Sequence, residues 1–79
     1  MPTLLDTLRC PILGVIMADP AILVCSGLSY ERSALEHWIA QYGTNPETGE
    51  PLQDARLVGN PCLRLLIEDV MSAMAAQTI

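Results

Sequence analysis

The stretch that decides the fold is DPAILVCSGLSYERSALEHWIAQYG, residues 19–43. Asp19-Pro20 is a turn signal, and the apolar run from Ala21 to Val24 leads into Ser26-Gly27, after which Leu28-Ser29-Tyr30 resumes an extended character. That order, strand-like run, small flexible pair, strand-like run, predicts a β-hairpin. Ser29 is then placed to cap a helix beginning near Glu31, whose acid suits the positive end of a helix. Leu35, Trp38, Ile39 and Tyr42 follow at i, i+3, i+4 and i+7, one face of an amphipathic helix. Gly43 supplies the left-handed conformation that usually stops such a helix.

Working outward, Leu4, Leu5 and Leu8 share one helical face before Pro11 and Gly14 interrupt, which predicts a short helical turn followed by an irregular loop. Residues 10–16 place more apolar side chains on that loop than it can bury, so some of them are expected to face a partner. On the other side of the hairpin and helix, residues 44–51 hold two prolines and no large apolar side chain, and they predict a second loop. Asn60-Pro61 reads as cap and first residue of a closing helix, with an apolar stripe at Leu63, Leu66, Ile67, Val70, Met71 and Met74. The uncharged tail from Met74 to Ile79 is expected to fray or to meet another surface. No internal repeat, linker or low-complexity stretch is visible.

With 79 residues, 51% of them hydrophobic and 16% charged, a single domain with one core is the largest structure available. Such a core rarely supplies more than about 3–5 kcal/mol without help from a staple or a partner. Four arginines, no lysine and nine acids give a formal charge of -5, which argues against a nucleic acid as partner. No apolar run approaches the about 18 residues that would span a bilayer, and the N-terminus lacks the secretory pattern, so no membrane association and a cytoplasmic or nuclear setting are expected. The odd number of cysteines suits a reducing compartment with free thiols. Cys10, Cys25, His37 and Cys62 are the available soft metal ligands, yet no two stand at C-x-x-C or H-x3-H spacing. No metal or other cofactor is therefore expected, and Cys25 and Cys62 read as small core hydrophobes.

Taken together, Cys10-Pro11-Ile12, Met17-Ala18-Asp19-Pro20, Gly27-Leu28-Ser29-Tyr30-Glu31-Arg32, Leu35-Glu36-His37-Trp38-Ile39, Asn45-Pro46, Pro51-Leu52, Leu57 and residues 60–67 closely resemble a U-box domain. The resemblance runs from about Leu8 to Met71, and the whole chain, 1–79, reads as one such domain. It implies an α+β fold of the small, RING-like ββα kind, with a β-hairpin, a central helix, two surface loops and a C-terminal helix. In this family hydrogen bonds and ion pairs stand where zinc ions sit in RING domains. Asp19, Ser26, Tyr30, Glu31, Arg32, Asn45, Thr48 and Asn60 are the candidates for that polar network; the plain alternative is that Glu31 and Arg32 are solvated first-turn residues.

The resemblance further implies a ubiquitin ligase that binds a ubiquitin-charged conjugating enzyme and promotes transfer to a lysine of a protein substrate, with no covalent intermediate on the ligase. By position, Ile12, Trp38 and Pro46 form the apolar groove for the conjugating enzyme, flanked by Leu13. Core packing is the competing reading of Ile12 and of Trp38. No catalytic residue is expected on the domain itself, and nothing in the sequence brings Cys25 and His37 together as nucleophile and base.

The sequence departs from the family pattern in three places. The hairpin between Pro20 and Gly27 is one residue longer, which predicts a larger turn or a bulge. Ala21 is smaller than the residue usual after the Asp-Pro. Gly49 stands where family members commonly carry an Arg or Asn that clamps ubiquitin, with Gln53 and Arg56 as conceivable substitutes. An alternative therefore stays open: a U-box-like protein-binding or dimerisation module of weak catalytic power, the homodimer forming through the apolar tail. A small helical adaptor unconnected with ubiquitin is a third reading. The absence of lysine leaves only the N-terminal amine as a site of self-modification.

Overall fold

The computed structural model describes residues 3–76, so the end of the predicted apolar tail, 77–79, lies outside the described residues. The elements are α1 (Leu4–Thr7), β1 (Pro20–Leu23), β2 (Leu28–Glu31), α2 (Arg32–Tyr42), β3 (Leu57–Gly59) and α3 (Pro61–Ala76). A three-stranded antiparallel sheet in the order β2-β1-β3 is accompanied by helices, the α+β class expected from the sequence.

The hairpin pairs Pro20 with Glu31, Ala21 with Tyr30, Ile22 with Ser29 and Leu23 with Leu28. That register is continuous, so the added length goes into the turn at residues 24–27, where Ser26 and Gly27 both donate backbone N–H groups to the Leu23 carbonyl. Pro20 opens the strand, a position that suits a residue without an N–H. The third strand, which the sequence reading assigned to no element, pairs Leu57–Gly59 with the outer side of β1. Ala21 and Leu23 in the central strand are consequently fully buried.

The structure corrects the predicted start of α2. Pairing keeps β2 extended through Glu31, so Ser29 lies inside a strand and cannot cap the helix. Glu31 occupies the cap position without a side-chain cap bond, and the Asp19 carbonyl accepts the Arg32 N–H at 2.9 Å. At the other end Gly43, with φ +60°, closes α2 by donating its N–H to the Ile39 carbonyl. Both outer helices are capped by side chains at their starts, the closing one by the Asn60 that the sequence predicts. Thr3 and Asp6 form a reciprocal capping box at α1. At α3 the Asn60 Oδ1 accepts the N–H of Leu63 at 3.1 Å.

Leu8, Cys10, Met17, Leu23, Tyr30, Leu35 and Ile67 make the core, with contributions from the first loop, both hairpin strands, α2 and α3. The placement of cysteines reverses expectation. Cys10 is fully buried, whereas Cys25 in the hairpin turn and Cys62 in the first turn of α3 are exposed. The apolar stripe of α3 is covered only in part: Ile67 is buried, but Leu66, Met71 and Met74 are exposed.

Candidate functional site

Two loops project from this frame, each closed by its own backbone hydrogen bonds. In the first, Cys10 N–H donates to the Val15 carbonyl at 2.8 Å, Gly14 N–H to the Cys10 carbonyl at 2.7 Å, and Met17 N–H to the Leu8 carbonyl at 3.1 Å. Arg9 adds a side-chain bond to the Gly14 carbonyl at 3.0 Å. Ile12 and Leu13 lie at the tip of this closed turn. Ile12 is half-buried against the core, while Leu13 and Val15 are each 52% exposed. The expectation that some apolar side chains here remain uncovered thus has a cause: the loop is too tightly closed to turn them inward.

The second loop is closed in the same manner. Asn45 N–H donates to the Glu50 carbonyl, Gly49 N–H to the Asn45 carbonyl and Leu52 N–H to the Gly43 carbonyl, at 2.9, 2.8 and 2.9 Å. The Asn45 and Thr48 side chains accept the N–H groups of Glu47 and Glu50, so both serve the loop's own turns. Pro46 is half-buried within it, and Leu52 at its far end packs on the same core as Ile12 and Ile39.

Trp38 is half-buried and joins α2 to the second loop, its indole N–H donating to Thr44 Oγ1 at 3.1 Å. Tyr42, 61% exposed, lies with its ring centroid 4.5 Å from that of Trp38 at an angle of 52°. Thr44 and the exposed Tyr42 were missed by reading the helix as a core stripe. The available signal was that an indole N–H kept out of water needs an acceptor, and Thr44 is the first polar side chain past the helix stop. The candidate residues thus lie on two loops closed by backbone hydrogen bonds and on α2, and Ile12, Ile39 and Leu52 of these three segments pack against one core.

The remaining polar candidates fall into separate groups. Glu31 accepts the N–H groups of Ala18 at 2.8 Å and Asp19 at 3.2 Å, fixing the end of the first loop. Arg32 Nε donates to Asp19 Oδ2 at 3.1 Å beside it, and Cys10 Sγ accepts the Glu31 N–H at 3.2 Å. Asn60 Nδ2 reaches Ser29 Oγ on the far side of the sheet, and Ser26 Oγ bonds within the hairpin turn. Tyr30 is fully buried, and its hydroxyl has no hydrogen-bond partner among the described residues. Burial, helped by the charges of Glu47, Cys10 and Cys25, raises its pKa. Among the described residues no three His, Cys, Asp or Glu side chains converge on a point that would hold a metal ion. Cys25 and His37 are both exposed and stand on different elements.

Residues 5–74 match the U-box domain family. The chain belongs to that family. Among curated proteins it is 42% identical over 64 residues to U-box domain-containing protein 25 of Arabidopsis thaliana, covering 77% of this chain and 15% of that protein. It is 43% identical over 63 residues to the WD repeat, SAM and U-box domain-containing protein 1 of Danio rerio, covering 78% of this chain and 13% of the relative. With the E3 ubiquitin-protein ligase SPL11 of Oryza sativa subsp. japonica it shares 41% identity over 66 residues, 82% of this chain and 9% of that protein. The U-box chain thus spans only a small part of the length of these relatives.

Proposed function

We propose that this U-box domain is the conjugating-enzyme-binding part of a ubiquitin ligase. A ubiquitin-charged conjugating enzyme docks on Ile12, Leu13, Trp38 and Pro46, and its thioester is held ready for attack by a substrate lysine. The observation that carries this reading is the pair of loops closed by backbone hydrogen bonds, the first with Leu13 and Val15 exposed and the second tied to α2 through Trp38 and Thr44. The name of the rice relative as a ubiquitin-protein ligase supports the reaction assigned.

Such a ligase acts by orientation and by shifting the population of the charged enzyme toward its reactive arrangement, and it needs no acid, base or nucleophile of its own. Rigid loops suit that role. A surface already ordered before binding loses little conformational freedom when the partner arrives.

A second reading rests on Gly49. It sits at φ +77° with nothing within 4 Å of a Cβ, and it offers no side-chain donor where the family commonly clamps ubiquitin. On that reading the domain binds a conjugating enzyme but activates it weakly. Arg56, one stand-in, is already committed to Asp54 at 2.8 Å.

The test is single-turnover discharge of a panel of ubiquitin-charged conjugating enzymes onto free lysine. The domain should accelerate discharge by at least one enzyme, and Ile12→Ala should abolish the effect. Binding without acceleration supports the second reading, and Gly49→Asn, the polar replacement best suited to a left-handed position, should then restore activity. Neither binding nor acceleration with any enzyme would overturn both readings.

A further inference from the structure

We propose that Thr44 is the positioning residue for Trp38, its hydroxyl oxygen fixing the indole ring and satisfying the indole N–H before a conjugating enzyme covers them. The inference rests on the docking role proposed above for Trp38 and adds to it a residue outside the set Ile12, Leu13, Trp38 and Pro46. It starts from a property of the tryptophan side chain. Rotation about the bond that carries the ring is broad, not confined to three staggered wells, so contacts set the direction of a half-exposed indole. Trp38 is half-buried, and two contacts act on its ring: the Tyr42 ring, with centroids 4.5 Å apart, and Thr44 Oγ1, which accepts the indole N–H at 3.1 Å. Tyr42 is itself 61% exposed and constrains one face only. The polar edge of the ring is held by Thr44 alone among the described residues.

Thr44 can do this because its own place does not depend on Trp38. Six positions separate the two residues, and on a continuous helix they would not be neighbours. The chain turns back at Gly43, whose φ of +60° ends α2, and Thr44 then bridges to Pro51 across the second loop. Before it, Gly43 N–H donates to the Ile39 carbonyl and the Gly43 carbonyl accepts the Leu52 N–H, both at 2.9 Å; after it, Asn45 N–H donates to the Glu50 carbonyl at 2.9 Å. The Thr44 backbone is thus pinned on both sides, and a threonine is stiff about its first side-chain torsion. An apolar partner laid on Trp38 strips water from the indole N–H, and a buried donor left without an acceptor opposes binding. With Thr44 in place that donor is satisfied beforehand. The free domain also holds the ring in one direction, so no affinity is lost to molecules in which it points elsewhere.

Trp38 is the only tryptophan in the chain, so its indole proton signal and its fluorescence report on this contact without overlap. Affinity for a conjugating enzyme that responds in the lysine-discharge assay is measured for the parent and for variants of two threonines. Thr44→Val keeps the shape and removes the acceptor, Thr44→Ser keeps the acceptor, and Thr48→Val removes the hydroxyl that accepts the Glu50 N–H in the same loop. Thr44→Val should bind about fivefold more weakly, the scale of one net hydrogen bond, and its indole proton should exchange faster with water. Thr44→Ala is the second removal should valine unfold the domain, and the same loss is expected of it. Thr44→Ser should recover binding to within about twofold of the parent, with the indole signal back near its parent position. Thr48→Val should leave the indole signal where it is. In a Trp38→Phe background, which has no indole N–H, Thr44→Val should cost nothing further.

Parent-like binding by the variants that lack the acceptor would overturn the proposal while leaving the docking role intact. Equal losses in Thr44→Val and Thr48→Val, with the indole signal unmoved in both, would also overturn it, because loop order alone would then account for them. A further loss on adding Thr44→Val to Trp38→Phe would do the same by showing that Thr44 acts by another route. If no enzyme responds or binds, the docking role itself fails and the inference falls with it.

Discussion

Arg32 holds Asp19 at two points, through its backbone N–H to the Asp19 carbonyl at 2.9 Å and through Nε to Asp19 Oδ2 at 3.1 Å. The first contact joins the end of the first loop to the start of α2. The second is a half-exposed ion pair of the kind that contributes about 0.2–1 kcal/mol. Gly59 in β3 lies against it, and a Cβ there would come within 2.7 Å of Arg32 Nη2. Gly59→Ala should therefore displace the guanidinium and lose about the value of the ion pair. In an Arg32→Ala background the same substitution should cost nothing. Urea denaturation of the two single variants and the double variant tests this, and additive losses would show that the contact is not what opposes the methyl group.

Glu31 should matter more than Arg32, because its carboxylate accepts two backbone N–H groups for which no other acceptor stands among the described residues. Removing a charged acceptor of this kind costs about 1.5–3 kcal/mol. Glu31→Ala is expected to fall in that range, with Glu31→Gln losing less. Amide exchange at Ala18 and Asp19 should quicken in the alanine variant. Unchanged exchange at both would contradict the assigned bonds.

Tyr30→Phe should behave in the opposite direction. The hydroxyl is buried without a partner among the described residues, so it loses its hydration and gains nothing in return. Its removal should leave stability unchanged or raise it by about 1 kcal/mol, read from the denaturation midpoint. A loss of more than about 1 kcal/mol would place a hydrogen bond on that oxygen.

Hydrogen bonds from Arg56 lower the Asp54 pKa from an ordinary 3.8 to about 2. A carboxyl depressed in the folded state favours folding at pH above its unfolded value, and that contribution disappears as the pH falls through its folded value. NMR titration should show Asp54 changing charge near pH 2, and Arg56→Ala should return it toward 3.8. Titration near 3.8 in the parent protein would show that the pair does not persist in solution.

The parts legible in the sequence were those governed by near neighbours. The hairpin turn at Ser26-Gly27, the Gly43 stop and the Asn60 cap each depend on residues within a few positions, and each stands where the sequence placed it. The strand at Leu57–Gly59 was not legible because three residues carry no readable period and owe their conformation to β1, more than 30 positions earlier. Ser29 was misread for a related reason: it has the chemistry of a cap, but strand pairing claims it first. The cysteines show how burial depends on placement: Cys25 stands in the hairpin turn beside Ser26-Gly27 and is exposed, while Cys10, on the irregular first loop, is buried by the elements packed over it. At the candidate site, Ile12, Trp38 and Pro46 were singled out through the family resemblance alone, and their joint role is the docking surface proposed above. The Trp38–Thr44 bond was not, because it requires knowing how far the indole turns from the core.

The central claim is that the two loop tips and Trp38 act as one docking surface. Its most direct test is an NMR titration of the labelled domain with a conjugating enzyme, following the Trp38 indole N–H together with the amides of Ile12, Leu13, Thr44 and Glu47. The account predicts that these signals shift together along one binding curve and that Ile12→Ala weakens the curve for all of them, the indole included. Shifts confined to α3 or to the β3 edge, with the indole unmoved, would contradict it.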